Sequence, residues 1–170
     1  MITLVLGGTR SGKSEVAESL LAGASGEVTY VATGRPTDEA MAARIAAHRA
    51  RRPADWVTVE VGADLPDALG RLSGALLVDS LGTWVAGHAD LAPDTAGLCA
   101  ALRARAATGS DDTVVVSEEV GLGVHAPTDV GRRFVDALGA LNRAVADEAD
   151  RVLLVVAGRV LPLERVTGPA

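Results

Sequence analysis

Residues 7–14 read Gly-Gly-Thr-Arg-Ser-Gly-Lys-Ser, the G-x4-G-K-[ST] spacing of a loop that cradles nucleotide phosphates. Gly7 and Gly12 permit backbone conformations and a close approach that a Cβ would obstruct. Across Gly8, Thr9, Arg10 and Ser11 the turn aims consecutive backbone N–H groups, and the positive end of the following helix, at the phosphates. Lys13 adds a compact, mobile cation that reaches the β- and γ-phosphates, and Ser14 offers a hydroxyl to Mg²⁺. Lys13 is the chain's only lysine, beside fifteen arginines. It stands where a planar guanidinium does not substitute freely.

A loop of this kind needs an acid at the end of another buried strand. The run "ALLVD" supplies Asp79, which with Ser14 forms the expected metal side; Glu118 or Glu119, after "TVVVS", is the alternative. The segment "DEAMAARIAAHRARRPADW" (38–56) is a helix-like run with Met41, Ile45 and the stem of His48 near one face, closed by Arg49, Arg51 and Arg52. Histidine beside such a cluster is a poor place for imidazolium unless anions come there, and a triphosphate is such an anion. The plainer reading is a surface histidine at a basic helix end. His88 reads as a solvated loop residue, and His125 as part of a backbone-shaped loop with Gly121 and Gly123. Three separated histidines and the lone Cys99 have no zinc-ligand spacing.

These residues must be positioned by alternating elements. Strands are expected at Ile2–Leu6, Val28–Ala32, Trp56–Glu60, Leu76–Asp79, Thr113–Ser117 and Val152–Val156. Several are apolar throughout, as strands covered on both faces are. Helices are expected at Lys13–Leu21, Thr37–Arg51, Asp64–Leu72, Thr95–Ala107 and Asp129–Ala149; in the last, Phe134, Leu138, Leu141 and Val145 recur on one face. The alternation predicts a three-layer α/β P-loop domain over residues 1–170, with a mostly parallel central sheet. Residues 87–94 and 107–112 read as loops, and the tail from Leu161 as a poorly ordered end or an oligomer contact.

The chain resembles the bifunctional adenosylcobinamide kinase / adenosylcobinamide-phosphate guanylyltransferases of cobalamin biosynthesis. The resemblance is carried by "GGTRSGKS", "VTYVATG" (28–34), residues 38–60, "LLVDSLGTWV" (76–85) and residues 114–158, which open "VVVSEEVGLGVHAP". It implies a RecA-like P-loop fold and two reactions. ATP or GTP phosphorylates the aminopropanol hydroxyl of adenosylcobinamide; GTP then donates GMP to an enzyme histidine, from which it passes to adenosylcobinamide phosphate. His48 matches that histidine, a good nucleophile toward an α-phosphorus as neutral imidazole. The family's guanine-nucleotide contacts fall on Ala32, Thr33, Gly34, Arg49, Ala50, Arg51, Arg52, Glu60 and Asp79. Gly34 stands where relatives commonly carry serine, which removes a hydroxyl. A homotrimer is also implied, with a site between subunits that encloses the corrinoid.

Composition bounds the rest. A chain of 170 residues is most simply one domain. A net charge of −6 and 2% aromatics disfavour nucleic acid as a partner. The apolar runs are strand length, too short to span a membrane. The solitary cysteine and the absence of a leader pattern point to the cytoplasm. Two other classes remain: a monofunctional P-loop small-molecule kinase, with no use for His48, and a RecA-like regulatory or assembly module.

Overall fold

The computed structural model describes residues 1–34, 39–109, 111–123 and 126–165, with only the backbone at 40–42, 44 and 51. The elements run β1 (Ile2–Gly7), α1 (Lys13–Leu21), β2 (Val28–Ala32), α2 (Glu39–Arg51), β3 (Val57–Glu60), α3 (Leu65–Arg71) and β4 (Ala75–Asp79). They continue with α4 (Leu81–Ala86), α5 (Thr95–Thr108), β5 (Thr113–Glu118), α6 (Asp129–Glu148), β6 (Arg151–Val156) and β7 (Arg159–Leu163). Among the described residues they form one sheet of order β3-β2-β4-β5-β1-β6-β7, parallel except for β7, which pairs antiparallel with β6.

Alternation along the strands divides the core between the two faces. Ile2, Leu4 and Leu6 of β1 point to a cluster with Trp84 of α4, Leu98 and Leu102 of α5, and Leu138, Leu141 and Val145 of α6. Val5 points the other way, to Ala17 and Leu21 of α1 with Val116 and Val155. Burial on both faces is why β1, β4 and β5 read as continuous apolar runs.

Three elements differ from their sequence expectation. Residues 81–86 form a helix that was not expected, because six residues are too few to show a helical period. Ser80 caps it through a box with Thr83: the Ser80 side chain accepts from Thr83 N, and Thr83 Oγ1 lies 3.2 Å from Ser80 N. Residues 161–163 are not a poorly ordered tail but the end of β7, a strand whose Pro162 is tolerated because β7 is the sheet's edge. Trp56 lies outside β3 and packs beside the Val5 cluster. The expected helix start at Thr37 lies outside the described residues.

Candidate active site

The glycine loop is built by bonds to distant strands. Glu119 N donates to Gly7 O at 3.1 Å, and Gly158 N donates to Ser11 O at 2.8 Å. A Cβ on Gly7 would overlap Ser11 Oγ and lie 2.8 Å from Val155 O, so this position admits only glycine without a shift. Gly12, at φ +94°, turns the chain into α1 in the left-handed region that glycine enters freely. No side chain caps α1. Lys13 N donates to Ser11 Oγ at 3.3 Å, and the positive end of the helix opens on a cavity of about 360 Å³ lined by Arg10, Lys13, Ser14 and His48. Thr9 and Arg10 are exposed at the loop's crest, and nothing within 4 Å would meet a Cβ on Gly8.

The sheet brings the acids to this loop. In register, Gly7 lies beside Glu118, Ala32 beside both Asp79 and Glu60, and Asp79 beside Val116. The carboxyl ends of β3, β2 and β4 thus finish level and those of β5 and β1 run two residues further, all at the edge where open α/β sheets bind ligands. A second cavity of about 440 Å³ opens there and shares Lys13, Ser14 and His48 with the first. Ala32, Gly34, Arg49, Arg52, Glu60 and Asp79 line it as well. Thr33 does not: it is buried, donating to Ser80 O at 2.6 Å and accepting from Ser80 N at 2.8 Å, so it locks the end of β2 to that of β4. Ala50 is exposed, and the Arg51 side chain lies outside the described residues.

Asp79 is the electrostatic centre. Tyr30 Oη donates to its Oδ2 at 2.8 Å, and His48 Nδ1 stands 3.8 Å from the same oxygen. Burial alone would raise its carboxyl, but His48, Tyr30 and a hydrogen bond from Ser14 outweigh burial and hold it below the usual carboxylate range. Burial, and then the Asp79 charge, push the Tyr30 phenol well above its ordinary value. Arg52 lies over the Tyr30 ring, its guanidinium carbon 3.1 Å from the centroid, and its buried Nε has no hydrogen-bond partner among the described residues. Arg49 pairs with Glu60 at 2.7 Å on the exposed rim, where such a pair adds little stability.

The three candidate acids separate. Asp79 faces Ser14 and His48. Glu118 faces Lys13, Oε1 to Nζ 3.6 Å. Glu119 turns away, accepting from Gly121 N at 2.7 Å. Sequence reasoning missed Tyr30, which reads as core inside "VTYVA", and Ser80, whose signal is the Ser-x-x-Thr box directly after Asp79. His88 is more constrained than a solvated loop residue: its Nδ1 lies 2.8 Å from Trp84 O and its ring meets Trp84 edge-on. His125 lies outside the described residues. Among those residues no group of three or more His, Cys, Asp or Glu is placed to hold a metal, and no helix is long and apolar enough to cross a membrane.

Known proteins resemble this chain over most of its length. Residues 3–163 match the family model described as cobinamide kinase / cobinamide phosphate guanyltransferase. The bifunctional adenosylcobalamin biosynthesis protein CobP of Pseudomonas aeruginosa is 40% identical, over 96% of this chain and 98% of its own. CobU of Salmonella typhimurium, described as bifunctional in the same pathway, is 36% identical over 93% of this chain and 97% of its own. Among solved structures, an ATPase from a bacterial type III secretion system superposes with a TM-score of 0.51 at 13% identity. The match covers 90% of this chain and half of the ATPase, and at that identity it speaks to the fold alone.

Proposed function

The chain belongs to the cobinamide kinase / cobinamide phosphate guanyltransferase family, and from that premise we propose that His48 carries the guanylyl group while one phosphate loop serves both transfers. The chain is thus a bifunctional enzyme of cobalamin biosynthesis, a kinase that phosphorylates adenosylcobinamide with ATP or GTP and a nucleotidyltransferase that passes GMP from GTP to the product. One observation carries the proposal. His48, from α2, lines both the loop cavity and the larger cavity, with Nδ1 facing Asp79.

In that orientation a proton on Nδ1 is held toward the carboxylate, and the Nε2 lone pair is free to attack. The bond from Nε2 to the α-phosphorus forms as the bond to pyrophosphate breaks, and Lys13 with the loop N–H groups takes up the leaving charge. A phosphate oxygen of adenosylcobinamide phosphate then attacks the same phosphorus, and the histidine leaves with its lone pair restored. Arg49, Arg51 and Arg52 neutralise the phosphates at the α2 end. The hydroxyl of Ser14 and the carboxylate of Asp79, which line the same cavity, are hard oxygen donors of the kind Mg²⁺ takes along with phosphate oxygens. Bound there, Mg²⁺ would neutralise charge on the triphosphate.

The test is covalent labelling. Incubation with α-labelled GTP should leave acid-labile, base-stable label on the denatured protein, and mass spectrometry should map it to a peptide containing His48. Label on another segment, or none, overturns the assignment; a monofunctional kinase or an assembly module would stay unlabelled.

The proposal extends to a cytoplasmic homotrimer of single-domain subunits, without nucleic-acid partners. Val156, Val160, Leu161 and Leu163 leave apolar surface on the β6–β7 hairpin, available for burial between copies. Light scattering that shows only a 17.3 kDa species at micromolar concentration would count against a trimer.

A further inference from the structure

The two transfers ask different things of their acceptors. An alcohol must shed a proton as it attacks phosphorus, whereas a phosphate monoester arrives already anionic. One half-reaction therefore needs a base that the other does not. Asp79 is the carboxylate read above as a Mg²⁺ ligand and lies against Tyr30 and His48, and Glu60 stands on the exposed rim with Arg49. His48 is committed to the guanylyl group.

Glu118 remains. It ends β5 directly beside Gly7, where the phosphate loop begins, and its partly exposed carboxylate lines the larger cavity 3.6 Å from Lys13 Nζ. Two donors fix it from behind, Ser80 Oγ at 2.9 and 3.0 Å from its two oxygens and Gly82 N at 3.0 Å from Oε2. A Cβ on Gly82 would overlap that carboxylate, so the residue opposite is kept small where the acid sits. The group that follows the γ-phosphate, Lys13, thus has a rigidly mounted carboxylate at its side.

We propose that Glu118 is the proton acceptor for the substrate hydroxyl in the kinase step. The idea rests on the reading above that Lys13 holds the transferred phosphate. The hydroxyl oxygen bonds to the γ-phosphorus as the bond from that phosphorus to the β–γ bridging oxygen breaks. The nucleoside diphosphate leaves with the bond's electrons, and the hydroxyl proton passes to Glu118 Oε1 and then to solvent.

The two half-reactions, measured on one preparation, test it. Glu118→Gln should lower kcat for adenosylcobinamide phosphorylation at least about 10²-fold, with the nucleotide KM changed by less than about threefold. Labelling by α-labelled GTP in the same sample should fall by less than about tenfold, which also reports that the variant is folded. Glu118→Asp should recover part of the kinase kcat. Equal loss of both activities would overturn the proposal, because the carboxylate would then serve only to position Lys13 or the Ser80 corner. Unchanged kinase turnover would overturn it too. Absence of label on the unsubstituted protein defeats the His48 reading instead, and the kinase arm is read independently of it.

Discussion

Lys13 and His48 line the same two cavities, yet the chain holds them in opposite ways. Lys13 opens α1, whose Lys13, Ser14, Ala17 and Leu21 are buried, and its loop is bonded to the turn after β5 and the turn after β6. His48 rides on α2, where no described side chain is fully buried and only Ile45 and His48 are even half-covered. The phosphate site is thus part of the core, while the proposed nucleophile is carried on a helix whose described side chains are not. Changes at the loop should therefore damage everything the enzyme does, and changes on α2 should separate its activities.

His48→Ala should abolish covalent labelling and formation of the GDP-cobinamide product, while phosphorylation of adenosylcobinamide persists. Loss of both would mean that α2 is as integral as the loop. Lys13→Ala should lower both activities at least about 10²-fold, on the order of 3 kcal/mol of transition-state stabilisation in each. A loss confined to one half-reaction would show that the two transfers do not share the loop.

Asp79 stands between the two regions. Asp79→Asn should raise the Mg²⁺ concentration needed for half-maximal kinase activity roughly tenfold, since a neutral amide is a weaker ligand for a hard cation. An unchanged Mg²⁺ titration would move the metal role to Glu118. The same variant has a pH signature. The Asp79 carboxyl is held below its ordinary value, so the folded state takes up this proton less readily than the unfolded chain. Its stabilising contribution is present above the unfolded value and disappears as pH falls through the lower folded one. Melting temperatures of the Asn variant should consequently depend less steeply on pH in the acid range than those of the parent.

The smallest effects concern stability alone. Gly7→Ala places a Cβ against Ser11 and Val155 and should cost about 1–3 kcal/mol in denaturant melts. Ala47→Ser, at an exposed site on α2, should stay within about 0.5 kcal/mol. Equal costs at the two sites would erase the contrast.

Legibility in the sequence followed the same division. The bounds of α1, the loop and the strand before it were readable because each is a local event: an apolar run, two glycines at fixed spacing, then a helix. The α4 helix was not, since it depends on a cap rather than a period, and β7 was obscured by Pro162. At the site, Asp79 and Glu118 could be found as acids ending apolar runs, but their separate duties could not. Which one meets Ser14 and which meets Lys13 depends on β5 lying between β4 and β1, an order no local pattern encodes. Tyr30 was hidden because a tyrosine within a strand looks like core until its hydroxyl is seen to reach Asp79. The role proposed for His48 rests on the family resemblance, because a partly buried histidine on a basic helix carries no local mark of a nucleophile.

The neighbours of β1 have a consequence for how the protein is made. This strand, at residues 2–7, pairs only with β5 at 113–118 and β6 at 151–156, and its loop is strapped by the amide of Gly158. On the ribosome the phosphate motif therefore emerges well before β5, β6 and Gly158, the parts that flank and strap it. A nascent chain stopped at residue 140 carries the motif without β6 or Gly158, so nucleotide should protect it from protease less than it protects the full chain. Ligand should therefore rescue the finished protein better than the growing one.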